Sequence, residues 1–459
     1  MERAQIMHRI ILFYPSLLNA ADQEITTLYT DIPLSIVTLA AQFHESDYEV
    51  DVVDERLGEI TTSALAQKLQ NAVMVGVSAI TSYQIVNGLR AIERIKRIDS
   101  QIPIVWGGWH ASLMPDETIR HPLVDIVMMG QGEANIRKLA DCLRDHRAID
   151  EIPNLLYKNR DGTVVKTTVQ CYPDFQMQTN LIHSYEQLPM ERYIHSKWGN
   201  KRLLGYESSR GCPYGCSFCS ISAVFHQKWY GLPAGNVYRD LRWLYDHCGI
   251  DAIHFFDNNF FVDKKRALTL AKLLGDHSPI RWGGTVAIRQ FIKFSKQEIH
   301  QLKAGGLYRI IAGVESGDEE VLTKINKKHT NQQVLELVYR CREEGLQPSL
   351  SFMMGFPWNP EQDTERTMSL IEQIKRIHPE TEILLFVFSP YLGTPLYRTA
   401  IQYGMKFPTS LDGWANFTYD AIQTPWISRG LERKMRRYLQ FFETKVMPAN
   451  EESFFKRFT

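Results

Sequence analysis

No stretch of the sequence approaches the ~20 consecutive apolar residues that a membrane span requires; even EILLFVFSP at 382–390 is only strand-sized. The opening MERAQIMHRIILFYPSLL lacks the basic n-region, long apolar core and small-residue cleavage site of a secretory signal, and Pro15 interrupts it. It is expected to form a first β-strand in a cytoplasmic protein. Net charge is also missing, because 52 Lys plus Arg balance 52 Asp plus Glu. Such a chain has no overall cationic field to hold nucleic acid, and a small organic molecule is the expected partner. There are no repeats or low-complexity segments, and no G-x-G-x-x-G follows the first strand to mark a dinucleotide site.

Cysteine is scarce but unevenly placed. Cys142, Cys171, Cys248 and Cys341 are scattered and read as small apolar residues, whereas Cys212, Cys216 and Cys219 fall within eight positions in RGCPYGCSFCS. In a reducing compartment a cluster of this kind points to metal binding or catalysis, not to a disulfide framework.

At 459 residues, and ~150 residues per domain, two or three domains are expected. From Arg9 to about Asp145, strand-like runs (RIILFYP, YEVDVVDE, VMVGVSAI, IPIVWGG, VDIVMMG) alternate with helical segments over 34–45, near Ala64, over 83–99 and from Glu133. That alternation implies a parallel sheet with helices on both faces, whose ligand lies beyond the carboxyl ends of the strands. NLLYKNRDGTVVKT at 154–167 has the Asp-Gly turn of a β-hairpin and is read as part of a linker. From Leu203 to about Ala400 six more strands (LLGYESS, IDAIHFFD, IRWGGTVA, YRIIAGVES, PSLSFMMGFP, EILLFVFSP) suit a second α/β unit of barrel type. The tail, GLERKMRRYLQFF, reads as a helix packed on that barrel; its basic and aromatic residues would also suit peripheral contact with a membrane. The expected boundaries are 1–150, a linker at 151–200, 201–400 and a helical extension at 401–459.

The cysteine spacing C-x3-C-x2-C follows the first strand of the second unit, where a barrel places its chemistry. A structural zinc wants four closed ligands, and the nearest further candidates, His226 and Cys248, stand in neither usual pattern. Three thiolates on a four-iron cluster leave one iron open.

This spacing, with Phe218 before the last cysteine, resembles the radical S-adenosylmethionine (SAM) superfamily. The resemblance implies a partial (β/α)6 TIM-barrel domain in which Cys212, Cys216 and Cys219 hold a [4Fe-4S] cluster and act catalytically. It also implies SAM contacts from Phe218, from Asp257, Asn258 and Asn259 in FFDNNFF, from Arg289, and from Glu315 and Ser316 in AGVESG. Taken alone, the Asp-Asn-Asn run also suits an Asx turn, a glutamate at a strand end such as Glu315 is more often solvated, and Arg289 also suits the surface. The first domain, with SAITS, GGWH and GQGE at its strand ends, resembles the Rossmann-like cobalamin-binding domain fused to many radical SAM enzymes, including the anaerobic porphyrin-cyclase branch. Its implied cobalamin residues are Ser78, Thr81, Gly107, Gly108, Trp109, His110, Gly130, Gln131, Gly132 and Glu133. The D-x-H-x-x-G box that supplies a lower cobalt ligand elsewhere is absent, since the loop after the first strand reads YPSLLNAADQ.

Together the resemblances imply an α/β enzyme that cleaves SAM to a 5′-deoxyadenosyl radical and methylates an unactivated carbon through methylcobalamin. An external low-potential donor of flavodoxin or ferredoxin type would supply the electrons. A ring cyclase or rearrangement enzyme without methyl transfer uses the same layout, and a non-catalytic cobalamin or iron-sulfur sensor is the reading from another class. A methylthiotransferase would need a second cysteine triplet, which Cys142 and Cys171 do not supply.

Overall fold

The computed structural model describes residues 7–17, 30–44, 46–170, 181–417 and 424–443. Most of the loop after the first strand, Cys171 and the extreme C-terminus lie outside them. The chain divides into two compact units, one of Met1–Gly211, Ala223–Phe256 and Phe407–Thr418, the other of Cys212–Ser222, Asp257–Lys406 and Tyr419–Thr459.

The first unit is built on β1 (His8–Tyr14), β2 (Tyr48–Asp54), β3 (Ala72–Ser78), β4 (Ile104–Gly107), β5 (Ile126–Met128), β6 (Leu155–Lys158) and β7 (Val164–Lys166), in the order β2-β1-β3-β4-β5-β6-β7. β1 lies parallel to both β2 and β3. Helices cover both of its faces, so Ile10, Ile11, Leu12 and Phe13 are all buried, and the strand reads as an unbroken apolar run. Hydroxyls start the helices that follow β2 and β3: Thr61 accepts from the Ala64 amide and Ser82 from that of Gln84. The expected 154–167 hairpin forms, but it extends the sheet. β6 pairs antiparallel with β5 and carries β7 with it, so paired backbone covers what would be an open edge. The first helix is shorter than its periodicity suggests, running over Leu34–Ala40 before a 3-10 turn at Ala41–Phe43.

The same unit holds β8 (His195–Lys197), β9 (Asn200–Tyr206), the antiparallel ribbon of β10 (Ser209–Gly211) and β11 (Trp229–Gly231), and β12 (Ala252–Phe255), parallel to β9. The second unit holds four parallel strands, β13 (Arg281–Val286), β14 (Leu307–Glu315), β15 (Gln347–Met354) and β16 (Glu382–Val387), in sequence order. One face of these strands is wholly apolar: Ile310, Ala312, Val314, Leu350, Phe352, Met354, Ile383, Leu385 and Val387 are all buried. The helices Asn331–Glu344 and Pro360–Ile377 pack against β15, and Arg429–Glu443 packs against β16. In Arg429–Glu443 the buried residues are Leu431, Met435 and Tyr438, spaced as one helical face. The opposite sheet face mixes small residues, Gly283, Thr285, Gly313 and Ser351, with Ile311, Met353, Leu384 and Phe386, and with Arg309, which is paired with Ser349 and Glu382. Among the described residues, no helix is long and apolar enough to cross a membrane.

Candidate functional site

Gly211 sets the entry to the cysteine loop. Its φ is +81°, and a Cβ there would collide with the Lys228 carbonyl oxygen, so only glycine lets the chain turn from β10 into Cys212. Beyond it the backbone is fixed from two directions. The Ser217 amide donates to the Ile325 carbonyl at 2.9 Å, and the Ser217 carbonyl accepts from Leu396 at 3.1 Å. Asn326 Nδ2 donates to the Gly215 carbonyl at 2.6 Å. Asn326 has φ +58°, a conformation asparagine tolerates better than most residues. Phe218 packs against the cluster of Val321, Leu322, Ile325, Phe356, Phe388 and Leu396.

Cys212, Cys216 and Cys219 are half-buried and unbridged. Burial pushes the Cys219 thiol up to about 11 and also raises Cys216, where Lys327 opposes the rise and Glu315 and Cys212 add to it. Among the described residues, no three His, Cys, Asp or Glu side chains are gathered as a single metal ion would need. A four-iron cluster takes its thiolates at separate corners, and three neighbouring thiols on a loop fixed by its backbone fit that group.

Lys327 is the residue that sequence reasoning missed. Its ammonium donates to Glu315 Oε1 at 2.6 Å and lies 5.6 Å from the Phe218 ring centroid. Burial works against its charge, but Glu315 and Cys216 outweigh that and raise its pKa. Glu315 has φ +75° at an irregularity in the pairing of β14 with β15, an uncommon conformation for a residue with a side chain. Gly313 makes room for the pair: a Cβ there would run into Glu315 Oε1 and stand 3.0 Å from Lys327 Nζ. The only sequence cue was position, twelve residues past the G-x-E-S-G glutamate.

The other residues expected to contact SAM divide. Asn259 Nδ2 reaches Cys212 Sγ at 3.9 Å and Gln290 Oε1 at 3.1 Å, and Asp257 beside it is buried. Asn258 is half-buried. The Arg289 guanidinium stacks 3.9 Å from the ring centroid of Tyr214, inside the cysteine loop. Ser316 is fully buried, donating to Asp363 and accepting from the Asp318 amide at 2.9 Å, so its hydroxyl shapes the loop after β14.

In the first unit the expected cobalamin residues collect at the carboxyl ends of β3, β4 and β5. Ser78 Oγ is 3.1 Å from Ser35 Oγ. Gly107 ends β4, and Gly108 (φ +90°) is required by a close approach, since a Cβ would stand 2.6 Å from the Ala79 carbonyl oxygen. Trp109 meets the Phe225 ring edge-on at 6.0 Å. Gly130 has φ +68°, and its amide donates to Ser112 Oγ at 2.9 Å. Gly132 opens a 3-10 turn over Gly132–Ala134, and the α-helix begins only at Ile136. The side chains of Gln131 and Glu133 are bonded to Arg210.

His110 is fully buried, with Nδ1 2.9 Å from Thr81 Oγ1 and the Trp414 ring 5.8 Å away. Burial lowers its pKa from 6.5 to about 4. A folded value below the unfolded one means that its contribution to stability is complete above pH 6.5 and is lost as pH falls toward 4. His110→Gln is therefore expected to flatten the loss of stability between pH 7.5 and 4.5 by about 2–3 kcal/mol, measured by urea unfolding at each pH. Parallel curves for the two proteins would contradict this.

Comparison with protein families matches residues 25–140 to the B12 binding domain and 206–371 to the Radical SAM superfamily. An uncharacterized methyltransferase of Pyrococcus horikoshii is 28% identical over 415 residues, covering 89% of this chain and 86% of the relative. The anaerobic magnesium-protoporphyrin IX monomethyl ester cyclase of Synechocystis is 21% identical over 376 residues, 81% and 73% of the two chains. Among solved structures, the radical SAM methyltransferase TsrM of Kitasatospora setae, with cobalamin and a [4Fe-4S] cluster bound, has the same fold. Its TM-score is 0.68 at 17% identity, over 87% of this chain and 79% of that one.

Proposed function

The chain belongs to the cobalamin-binding radical SAM enzymes, and from that premise we propose that it methylates an unactivated carbon of a small organic substrate. Cys212, Cys216 and Cys219 would hold the cluster, and Asp257, Asn258, Asn259, Arg289, Glu315 and Lys327 would hold SAM. Ser78, Thr81, Gly107, Gly108, Trp109 and the Gly130–Gly132 backbone would line the cobalamin site, with His110 held behind it by Thr81. When bound, the cluster supplies the electron that splits SAM into methionine and a 5′-deoxyadenosyl radical, and cobalamin supplies the methyl carrier.

The chain's own part is binding, orientation and exclusion of water. Lys327 offers ammonium donors suited to a carboxylate, and Glu315, held by it, offers acceptors suited to hydroxyl or amino groups. Asn259 fixes the Cys212 side of the loop and Arg289 the Tyr214 side. Phe218, Phe356 and Phe388 keep the floor of the loop dry. The observation that carries the reading is Lys327: bonded to Glu315 and acting on Cys216, it makes the cysteine loop and the end of β14 one site.

The domain limits expected above, 1–150, 151–200, 201–400 and 401–459, are proposed with the β6–β7 hairpin reassigned to the first sheet. A cytoplasmic enzyme fed by a flavodoxin or ferredoxin completes the reading. The test is anaerobic turnover of methyl-labelled SAM with candidate metabolites. Methyl transfer gives S-adenosylhomocysteine beside 5′-deoxyadenosine and a labelled product; cyclisation or rearrangement gives 5′-deoxyadenosine alone; a sensor gives neither.

A further inference from the structure

Arg210, two residues before Cys212, is buried and carries an unusually complete set of partners. Its Nε donates to Glu207 at 2.7 Å, one terminal nitrogen to Glu133 and to Gln131 Oε1 at 2.9 Å, and the other to Thr38 Oγ1 at 3.1 Å. Thr38 in turn donates to the same Glu133 oxygen at 2.7 Å. Arg210 and Glu133 are each 7% exposed, so this is a desolvated charge network. Its other end is the G-Q-G-E turn after β5. A planar fork with several fixed acceptors has little freedom to rotate, and lysine cannot reproduce it.

We propose that Arg210 is a positioning residue: through Glu133 and Gln131 it locks the strand entering the cysteine loop to the G-Q-G-E turn. The side chains of that turn thus set the geometry of the cluster loop and do not recognise the corrin. This rests on the cobalamin-dependent radical SAM reading. Gly211, at φ +81° and too close to the Lys228 carbonyl oxygen to carry a Cβ, is the single residue between Arg210 and Cys212, and it is through this residue that a shift of Arg210 would reach the cysteine loop.

The test compares Glu133→Gln and Arg210→Lys with the unsubstituted protein in three measurements. The first is amide hydrogen exchange over 209–219 in iron-free protein, the second the EPR spectrum and iron content after anaerobic reconstitution, and the third hydroxocobalamin affinity. The lock predicts at least tenfold faster exchange in the segment, a changed EPR signature or lower iron occupancy, and cobalamin affinity within twofold. Tenfold weaker cobalamin binding with unchanged exchange would make the turn a corrin contact and overturn the proposal, as would no change in any readout. Gln131→Leu removes one hydrogen bond accepted from the guanidinium and no charge. It decides the matter if the charged variants do not fold, with at least threefold faster exchange expected and unchanged exchange overturning the lock. Absence of any cluster in the unsubstituted protein would count against the proposed function, whereas the exchange measurement judges the lock independently.

Discussion

Replacing Cys212, Cys216 and Cys219 together by alanine is expected to reduce 5′-deoxyadenosine formation from SAM to the level of an enzyme-free control, and to remove bound iron with it. The effect should be total because the three thiols are the proposed cluster ligands and no group of three His, Cys, Asp or Glu side chains among the described residues is gathered to replace them. The substitution should leave the fold intact. The loop is held by backbone bonds from Ser217 to Ile325 and Leu396 and by Asn326 on the Gly215 carbonyl, none of which uses a thiol. Each alanine removes a sulfur that is only half-buried. Unchanged circular dichroism with no iron and no product is therefore the expected set. A control with Cys142→Ala and Cys341→Ala touches two thiols buried in the cores, so it should cost stability by leaving small cavities and leave iron content unaltered. Continued SAM cleavage by the triple variant would remove the cluster assignment, and with it the proposed chemistry.

The elements legible in the sequence are those whose pattern is local. β1 reads as a strand because both faces are covered, and its apolar run has no alternation to confuse it with a surface strand. The cysteine triplet was legible because its spacing lies within one loop. What escaped were pairings across sequence. The 154–167 hairpin announced its turn but not its partner, since nothing local says that Leu155 will lie opposite Met128. Glu133 reads as the end of a ligand-binding turn, and nothing local says that Arg210, 77 positions later, will bond its carboxylate. Ser316 belongs to a motif whose hydroxyl looks available, yet it donates a hydrogen bond to Asp363, 47 positions on. Lys327 looks like one more lysine in K-I-N-K-K, and only the tertiary fold sets it over Gly313 beside Glu315. In each case a charged or polar side chain is committed to a distant partner, which a motif read residue by residue does not contain.

Lys327→Met is expected to lower SAM cleavage at least 100-fold, about 2.7 kcal/mol of barrier. The substitution also leaves Glu315, 9% exposed, as a nearly buried carboxylate without its counter-charge. Losing one partner of such a pair costs about 3 kcal/mol or more, so a fall in activity alone would be ambiguous. The double variant Lys327→Met with Glu315→Gln separates the two effects, because with both charges gone the burial penalty disappears. Stability should then return to within about 1–2 kcal/mol of the unsubstituted protein. Activity should not return, since the ammonium and carboxylate are what the proposed site would offer SAM. A second signature follows from Coulomb's law: a cation within reach of Cys216 favours the extra electron, so its removal alone should move the cluster's reduction potential to more negative values, and removing the Glu315 charge with it should return part of that shift. Redox titration followed by EPR reads that shift without any turnover. A double variant that is stable and cleaves SAM at the original rate, beside a Lys327→Met variant whose potential is unmoved, would make the pair mere packing over Gly313, and the site would have to be rebuilt without it.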